Sequence, residues 1–248
     1  MASVFELSEP YRNHLVSVLP PGRGVCAICW TAIDPGYRLC YPCRIAREGY
    51  GGRLAEIVVP IALAVKRQQL AHELWHYKYD VDGRVRQRLQ VRLAALLWRF
   101  LGQHEPHIAA AVGGPGFDIV TTVPGTRIRD EDHPLVHIVG TLVGQTRDRY
   151  QPVLALGPGA SVEGRAVLAN RYRATEAMAG RPAVLLVDDT WTAGGRPSLR
   201  PSRCGTPERP GSLSWFWGAT STGTSGSVRP IITRPDPGNS PGIRAALK

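Results

Sequence analysis

Nowhere in this chain of 248 residues is there an apolar run long enough to span a bilayer. The longest, Ile57 to Val65, is interrupted by Pro60. The N-terminus also lacks a basic stretch followed by an apolar one, so no secretory leader is expected and the cytoplasm is the expected compartment. Acidic residues are scarce relative to basic ones, leaving a net charge of +10. That excess is unevenly placed. Residues 196–248 hold eight Lys+Arg and two Asp+Glu, whereas the first 195 residues carry 22 and 18. The basicity is therefore mostly a property of the tail, and it gives little local support to nucleic acid as a partner. With 43% hydrophobic and 20% charged residues, the chain as a whole has a globular and not a disordered composition.

Cysteine is sparse but ordered. Cys26 and Cys29 form one CxxC pair and Cys40 and Cys43 another, with ten residues between them. Each pair places two thiolates on one tight knuckle, and two knuckles complete a tetrahedral four-sulfur site suited to structural zinc. Asp34-Pro35-Gly36 lies midway and reads as the turn that brings the knuckles together. Disulfides or four free thiols are the alternatives, the former disfavoured in a reducing compartment. Four protein ligands leave no open position for zinc-based catalysis. Cys204, in the tail, is not expected to be a ligand.

From Leu54 to about Leu101 the spacing is helical. Ile61, Val65, Leu70, Leu74 and Trp75 form a first stripe, and Val85, Leu89, Leu93, Leu96, Leu97, Phe100 and Leu101 a second. Asp80-Val81-Asp82-Gly83 separates the two helices. Arg84, Arg86, Arg88 and Arg92 read as a solvated face. His72-Glu73-Leu74-Trp75-His76 spells HExxH, so His72 and His76 could share a metal. A peptidase reading is nevertheless disfavoured, because no third ligand is apparent.

After Gly113-Gly114-Pro115-Gly116 the pattern changes to strands alternating with helices. Phe117–Val123, Pro152–Leu156 and Ala183–Val187 read as strands and Leu135–Thr146 as a helix. That alternation predicts a parallel sheet with its ligand at the carboxyl ends of the strands. The third strand runs into Asp188-Asp189-Thr190-Trp191-Thr192-Ala193-Gly194-Gly195. Two adjacent carboxylates suit ribose hydroxyls, and a loop of hydroxyls and glycines suits a phosphate.

This segment resembles the phosphoribosyl diphosphate (PRPP) motif of type I phosphoribosyltransferases. Together with the cysteine ribbon it is similar to the ComF-like subgroup, over roughly residues 20–195. The resemblance implies a Rossmann-like sheet, Mg²⁺ bound with PRPP, and transfer of ribose 5-phosphate to a nucleophile. It further implies that Asp188 and Asp189 hold the ribose hydroxyls and that Thr190 to Gly195 hold the 5-phosphate. Pro124, Gly125 and Thr126, followed by Arg127, stand where the family has its diphosphate loop, and Asn170-Arg171 fall in the region of its flexible hood. Purine-type members have a carboxylate where Thr192 stands. A threonine there cannot act as a general base, which argues against purine salvage. A non-catalytic PRPP-sensing or DNA-uptake-associated module is the alternative function.

Four segments follow: a helix and zinc ribbon (1–50), a helical segment (51–112), an incomplete transferase core (113–195) and a tail (196–248). Gly, Pro, Ser and Thr make up 28 of the tail's 53 residues, without periodicity, so disorder is expected there. The genetic code offers an origin for the tail. Shifting the frame back by one base moves the first base of each codon into the middle position, and a middle T always encodes an apolar residue. Trp and Phe codons begin with T, as do TCN serine codons, so Ser214-Trp215-Phe216-Trp217 would decode as four apolar residues. A frameshift near Gly195 would then have replaced a native helix and strand, leaving a poorly stable, inactive product. Sequencing the DNA across codons 194–230 tests this. The shifted frame is expected to encode an alanine-rich helix, a turn and a Val/Ile strand; its absence refutes the frameshift.

Overall fold

The computed structural model describes residues 2–49, 57–125, 132–161, 172–175, 182–192 and 212–220. The first helix, α1 (Val4–Ser8), is closed by a reciprocal capping box between Ser3 and Glu6, and a 3₁₀ turn, Glu9–Asn13, follows it. The N-terminal segment docks on a later helix, where Phe5 meets Trp98 edge-on at 6.2 Å and Arg99 bonds Glu9 at 3.0 Å. The cysteine ribbon comes next and ends in α2 (Tyr41–Gly49).

Two short strands, β1 (Ile57–Val58) and β2 (Leu63–Val65), occupy the start of the stretch expected to be helical. Pro60 removes a donor, and the β-branched residues around it suit extended backbone. The helices begin later, as α3 (Gln69–Tyr79) and α4 (Gly83–Ala111). The break between them falls at Asp80–Asp82 as expected, and the Asp82 carboxylate caps α4 by accepting from the Arg84 N–H at 2.8 Å. The α4 helix runs through Pro106, ten residues beyond the expected end at Leu101.

The α3 stripe also differs in detail. Trp75 is 58% exposed, whereas Glu73 and Tyr77 are fully buried beside Leu70 and Leu74. The arginine face is likewise only partly solvated: Arg92 turns inward, over the Tyr11 ring and toward Glu73.

Two core strands are found where expected. β3 (Ile119–Thr122) and β6 (Val184–Thr192) pair in parallel, with Thr122 opposite Val187. Between them lie α5 (Pro134–His137), a π-helical turn at Ile138–Leu142 and α6 (Gly144–Arg147). These break the expected Leu135–Thr146 helix into three pieces. Gly140 in the π turn lies against the Tyr150 ring, where an added Cβ would sit 2.9 Å from a ring carbon. That close approach brings the Tyr150 hydroxyl to 3.2 Å from Thr122 Oγ1, so the helical layer is keyed to the strand.

The remaining strand expectations are corrected. β4 (Leu154–Leu156) pairs antiparallel with β5 (Tyr172–Ala174) in a separate ribbon, which meets β3 through a parallel bridge from Val120 to Tyr150 and through Val153 and Ala174 packed with Ile119. Within the tail, β7 (Ser212–Thr220) lies antiparallel to β6, and it also pairs with β1 and β2. The main sheet therefore has the order β1-β7-β6-β3, with β2 also on β7 and one parallel pair. Within the segment expected to be disordered, Ser212–Thr220 forms a strand: Trp and Phe suit extended backbone, and β6 offers an edge to pair with. The result is a mixed α/β fold with a small parallel element. Its main core joins Leu70, Leu74 and Tyr77 of α3 and Leu93, Leu97 and Leu101 of α4 to Val120, Leu185 and Val187 of the sheet.

Candidate functional site

Two clusters carry the chemistry: the cysteine ribbon and the carboxyl end of β6. In the ribbon the four sulfurs of Cys26, Cys29, Cys40 and Cys43 all lie within 4.8 Å of one another, and none is in a disulfide. Cys29 and Cys40 Sγ are 3.6 Å apart. A tetrahedron of sulfurs about 2.3 Å from zinc has edges of about 3.8 Å, so the spacing fits a metal ion such as zinc.

The local backbone explains the clustering. The Trp30 N–H bonds the Cys26 carbonyl at 3.0 Å and closes the first knuckle, with Trp30 at φ 61°. Cys43 lies in the first turn of α2, whose first turn brings the Arg44 N–H to 3.0 Å from the Cys40 carbonyl. The expected turn is present, with the Gly36 N–H donating to Asp34 Oδ1 at 2.8 Å. The Cys40 N–H donates to Cys26 Sγ at 3.3 Å, a bond that stabilises a thiolate at that sulfur. Hydrogen bonds from Cys29, Cys40 and Cys43 pull the Cys26 thiol down, whereas Cys43, bonded to Cys26, Cys29 and Cys40, is pushed up. Ionising all four thiols together requires a cation. The ribbon sits on β1 through Val58, whose carbonyl accepts the Trp30 indole N–H at 3.1 Å.

At the second cluster, β6 does not end at Val187. It continues to Thr192, because β7 pairs with Trp191 and Thr192, and the register shifts between Asp188 and Trp191 as in a bulge. Thr190, Trp191 and Thr192 are thus in a strand here. Ala193, Gly194, Gly195 and Thr126 lie outside the described residues, as do Arg127, Asn170-Arg171 and Cys204. Pro124 and Gly125 follow β3 after Val123. The Val123 N–H bonds the Val187 carbonyl at 3.2 Å, so this turn and the acidic pair share one end of the parallel strands.

The two carboxylates have different surroundings. Asp189 shares the alternate face of Leu185 and Val187, is 2% exposed and turns toward α3. There it accepts from the Tyr77 hydroxyl and forms an ion pair with Lys78, while the Thr190 hydroxyl donates to its other oxygen at 3.0 Å. Asp188 is partly covered and accepts the N–H of Asp189 at 2.8 Å. Burial and the neighbouring Asp189 push its carboxyl up to about 7, against the pull of Lys78. Tyr77 is raised well above its ordinary range by burial and by the same aspartate. The α3 periodicity that marks Leu70 and Leu74 extends to Tyr77, but nothing in the sequence pattern marks Lys78 as the counter-ion.

The HExxH segment is not a peptidase centre. Glu73 is 0% exposed; it accepts from the Tyr11 hydroxyl and from Gln69 Nε2 at 2.7 Å, and Arg92 lies 3.3 Å away. A carboxylate so enclosed cannot activate a water. Among the described residues, no helix is long and apolar enough to cross a membrane. No protein-family model matches the chain, and no curated protein or solved structure matches it either.

The position of Asp188 predicts a pH dependence. Its folded-state pKa lies above the unfolded value of about 4, so the protonated carboxyl favours the fold and that contribution disappears as pH rises toward 7. Relative to Asp188→Asn, the parent chain should lose stability between about pH 4 and 7 and change little above that. Urea unfolding across that range checks this; parallel curves for the two proteins would contradict it.

Proposed function

We propose that the chain is a phosphoribosyltransferase-like protein of ComF-like type. On this reading it binds PRPP with Mg²⁺ at the carboxyl ends of β3 and β6, transfers ribose 5-phosphate to an acceptor, and carries structural zinc in its N-terminal ribbon. The observation that carries this reading is the adjacency of the Pro124-Gly125 turn and the Asp188-Asp189 pair, joined by the Val123–Val187 hydrogen bond. These are the two segments that the resemblance assigns to diphosphate and ribose. Bound Mg²⁺ would neutralise charge on the leaving diphosphate. Asp188, the more accessible carboxylate, would accept from a ribose hydroxyl. Asp189 would meet the ligand only through the Thr190 side of its carboxylate, because Lys78 and Tyr77 hold the other oxygen.

That same engagement favours the second reading, a PRPP-binding module without transferase activity. In either reading the Thr192 position offers no carboxylate base. The β7 strand stands beside β6 where the resemblance implies a helix and a further parallel strand. A frameshift near Gly195 would account for this; by removing the helix N-terminus that helps hold phosphate it would abolish transfer, so it belongs with the second reading and not the first.

Calorimetric titration with PRPP tests both readings together. Mg²⁺-dependent binding is expected, weakened at least about tenfold by Asp188→Asn, the scale of losing one hydrogen bond to a charged group. Absence of Mg²⁺-dependent binding, or equal affinity in the variant, overturns the site. Diphosphate release with a panel of bases and amines then separates a transferase from a binding module.

A further inference from the structure

The HExxH histidines remain unexplained once Glu73 is assigned to the core. They lie on the outer side of α3, with His72 exposed and His76 half-buried. Their rings face each other at 3.9 Å between centroids and 34° between planes. Two imidazole nitrogens on one ion, each 2.0–2.1 Å from it, lie about 3.0–3.4 Å apart, so neighbouring rings on one helix face need only spread slightly to share an ion. A spacing of four residues on a helix supplies that arrangement without backbone strain.

The second observation concerns Asp80. Its carboxylate lies 2.6 Å from His76 Nδ1. The other carboxylate oxygen accepts the Asp82 N–H at 2.9 Å, and Arg86 donates to the Asp80 carbonyl, so the group is anchored at the start of α4. A carboxylate at Nδ1 favours the tautomer with its proton there and the lone pair on Nε2. Metal-binding histidines are oriented in the same way by an outer carboxylate.

We propose that His72 and His76 form a second metal site, separate from the cysteine cluster, which takes Zn²⁺ or a neighbouring first-row divalent ion and uses Asp80 as its outer-shell anchor. Two protein ligands leave at least two positions to water, so the ion exchanges, unlike one enclosed by four cysteines. Imidazole and water ligands also suit Cu²⁺ and Ni²⁺, with Cu²⁺ the tightest of the series. The site performs no peptidase chemistry, because Glu73 is turned into the core.

The test uses the untagged full chain, dialysed against buffered zinc and assayed for metal per chain, with circular dichroism to confirm that each variant keeps its helices. The parent is expected to hold one zinc more than the His72→Ala/His76→Ala double variant. In Asp80→Asn that additional zinc should remain but bind about 10–100-fold more weakly. Cys26→Ser should leave it in place. Equal zinc content in the parent and the double-histidine variant overturns the proposal, as does loss of the additional zinc in Cys26→Ser. An unchanged affinity in Asp80→Asn overturns the anchoring role.

Discussion

The contact between α3 and the end of β6 is the constraint on which the site depends. Asp189 is a buried carboxylate, and a buried charge is stable only if it is paired and hydrogen-bonded. Lys78 supplies the charge, and Tyr77 and Thr190 supply the hydrogen bonds. Because Tyr77 and Lys78 are successive residues of one helix, the pair fixes α3 against the strand end. The same pairing sets the electrostatics at Asp188. A neighbouring carboxylate and burial raise its affinity for a proton, and Lys78 opposes them.

A second buried carboxylate does the same work one turn earlier on α3. Glu73 receives Tyr11, Gln69 and Arg92, which ties the N-terminal 3₁₀ turn to both α3 and α4. The helix α3 therefore carries three kinds of side chain on its faces. Leu70, Leu74 and Tyr77 fill the core, Glu73 and Lys78 make buried ion pairs, and His72 and His76 face outward. One short sequence that resembles a zinc-peptidase motif is thereby divided between folding and the surface. The ribbon is a separate small core, with Val58 of β1 packed against its cysteines.

Features with short-range causes were legible in the sequence. The CxxC spacing gave the cluster, Asp34 and Gly36 gave its turn, and Asp82 marked the start of α4. The β-branched run at 119–122 and the apolar run at 184–187 marked the two strands of the parallel pair. What escaped was set by partners distant in sequence. Lys78 is recognisable as a counter-ion only when Asp189, more than a hundred residues away, is folded onto it. Trp75 fits an apolar stripe but faces water, because Glu73 takes the inward position with Arg92 as its partner. The extension of β6 through Thr192 likewise depends on β7, a strand in a region whose composition is that of a disordered chain.

A double-mutant cycle on Lys78 and Asp189, read by equilibrium unfolding, tests the central claim most directly. Lys78→Met alone should cost about 3–5 kcal/mol by leaving a buried carboxylate without its cation. Combined with Asp189→Asn, the loss should fall short of the sum of the single losses by at least about 1 kcal/mol. Additive losses within about 0.5 kcal/mol, with Lys78→Met costing no more than a surface ion pair, would contradict the account.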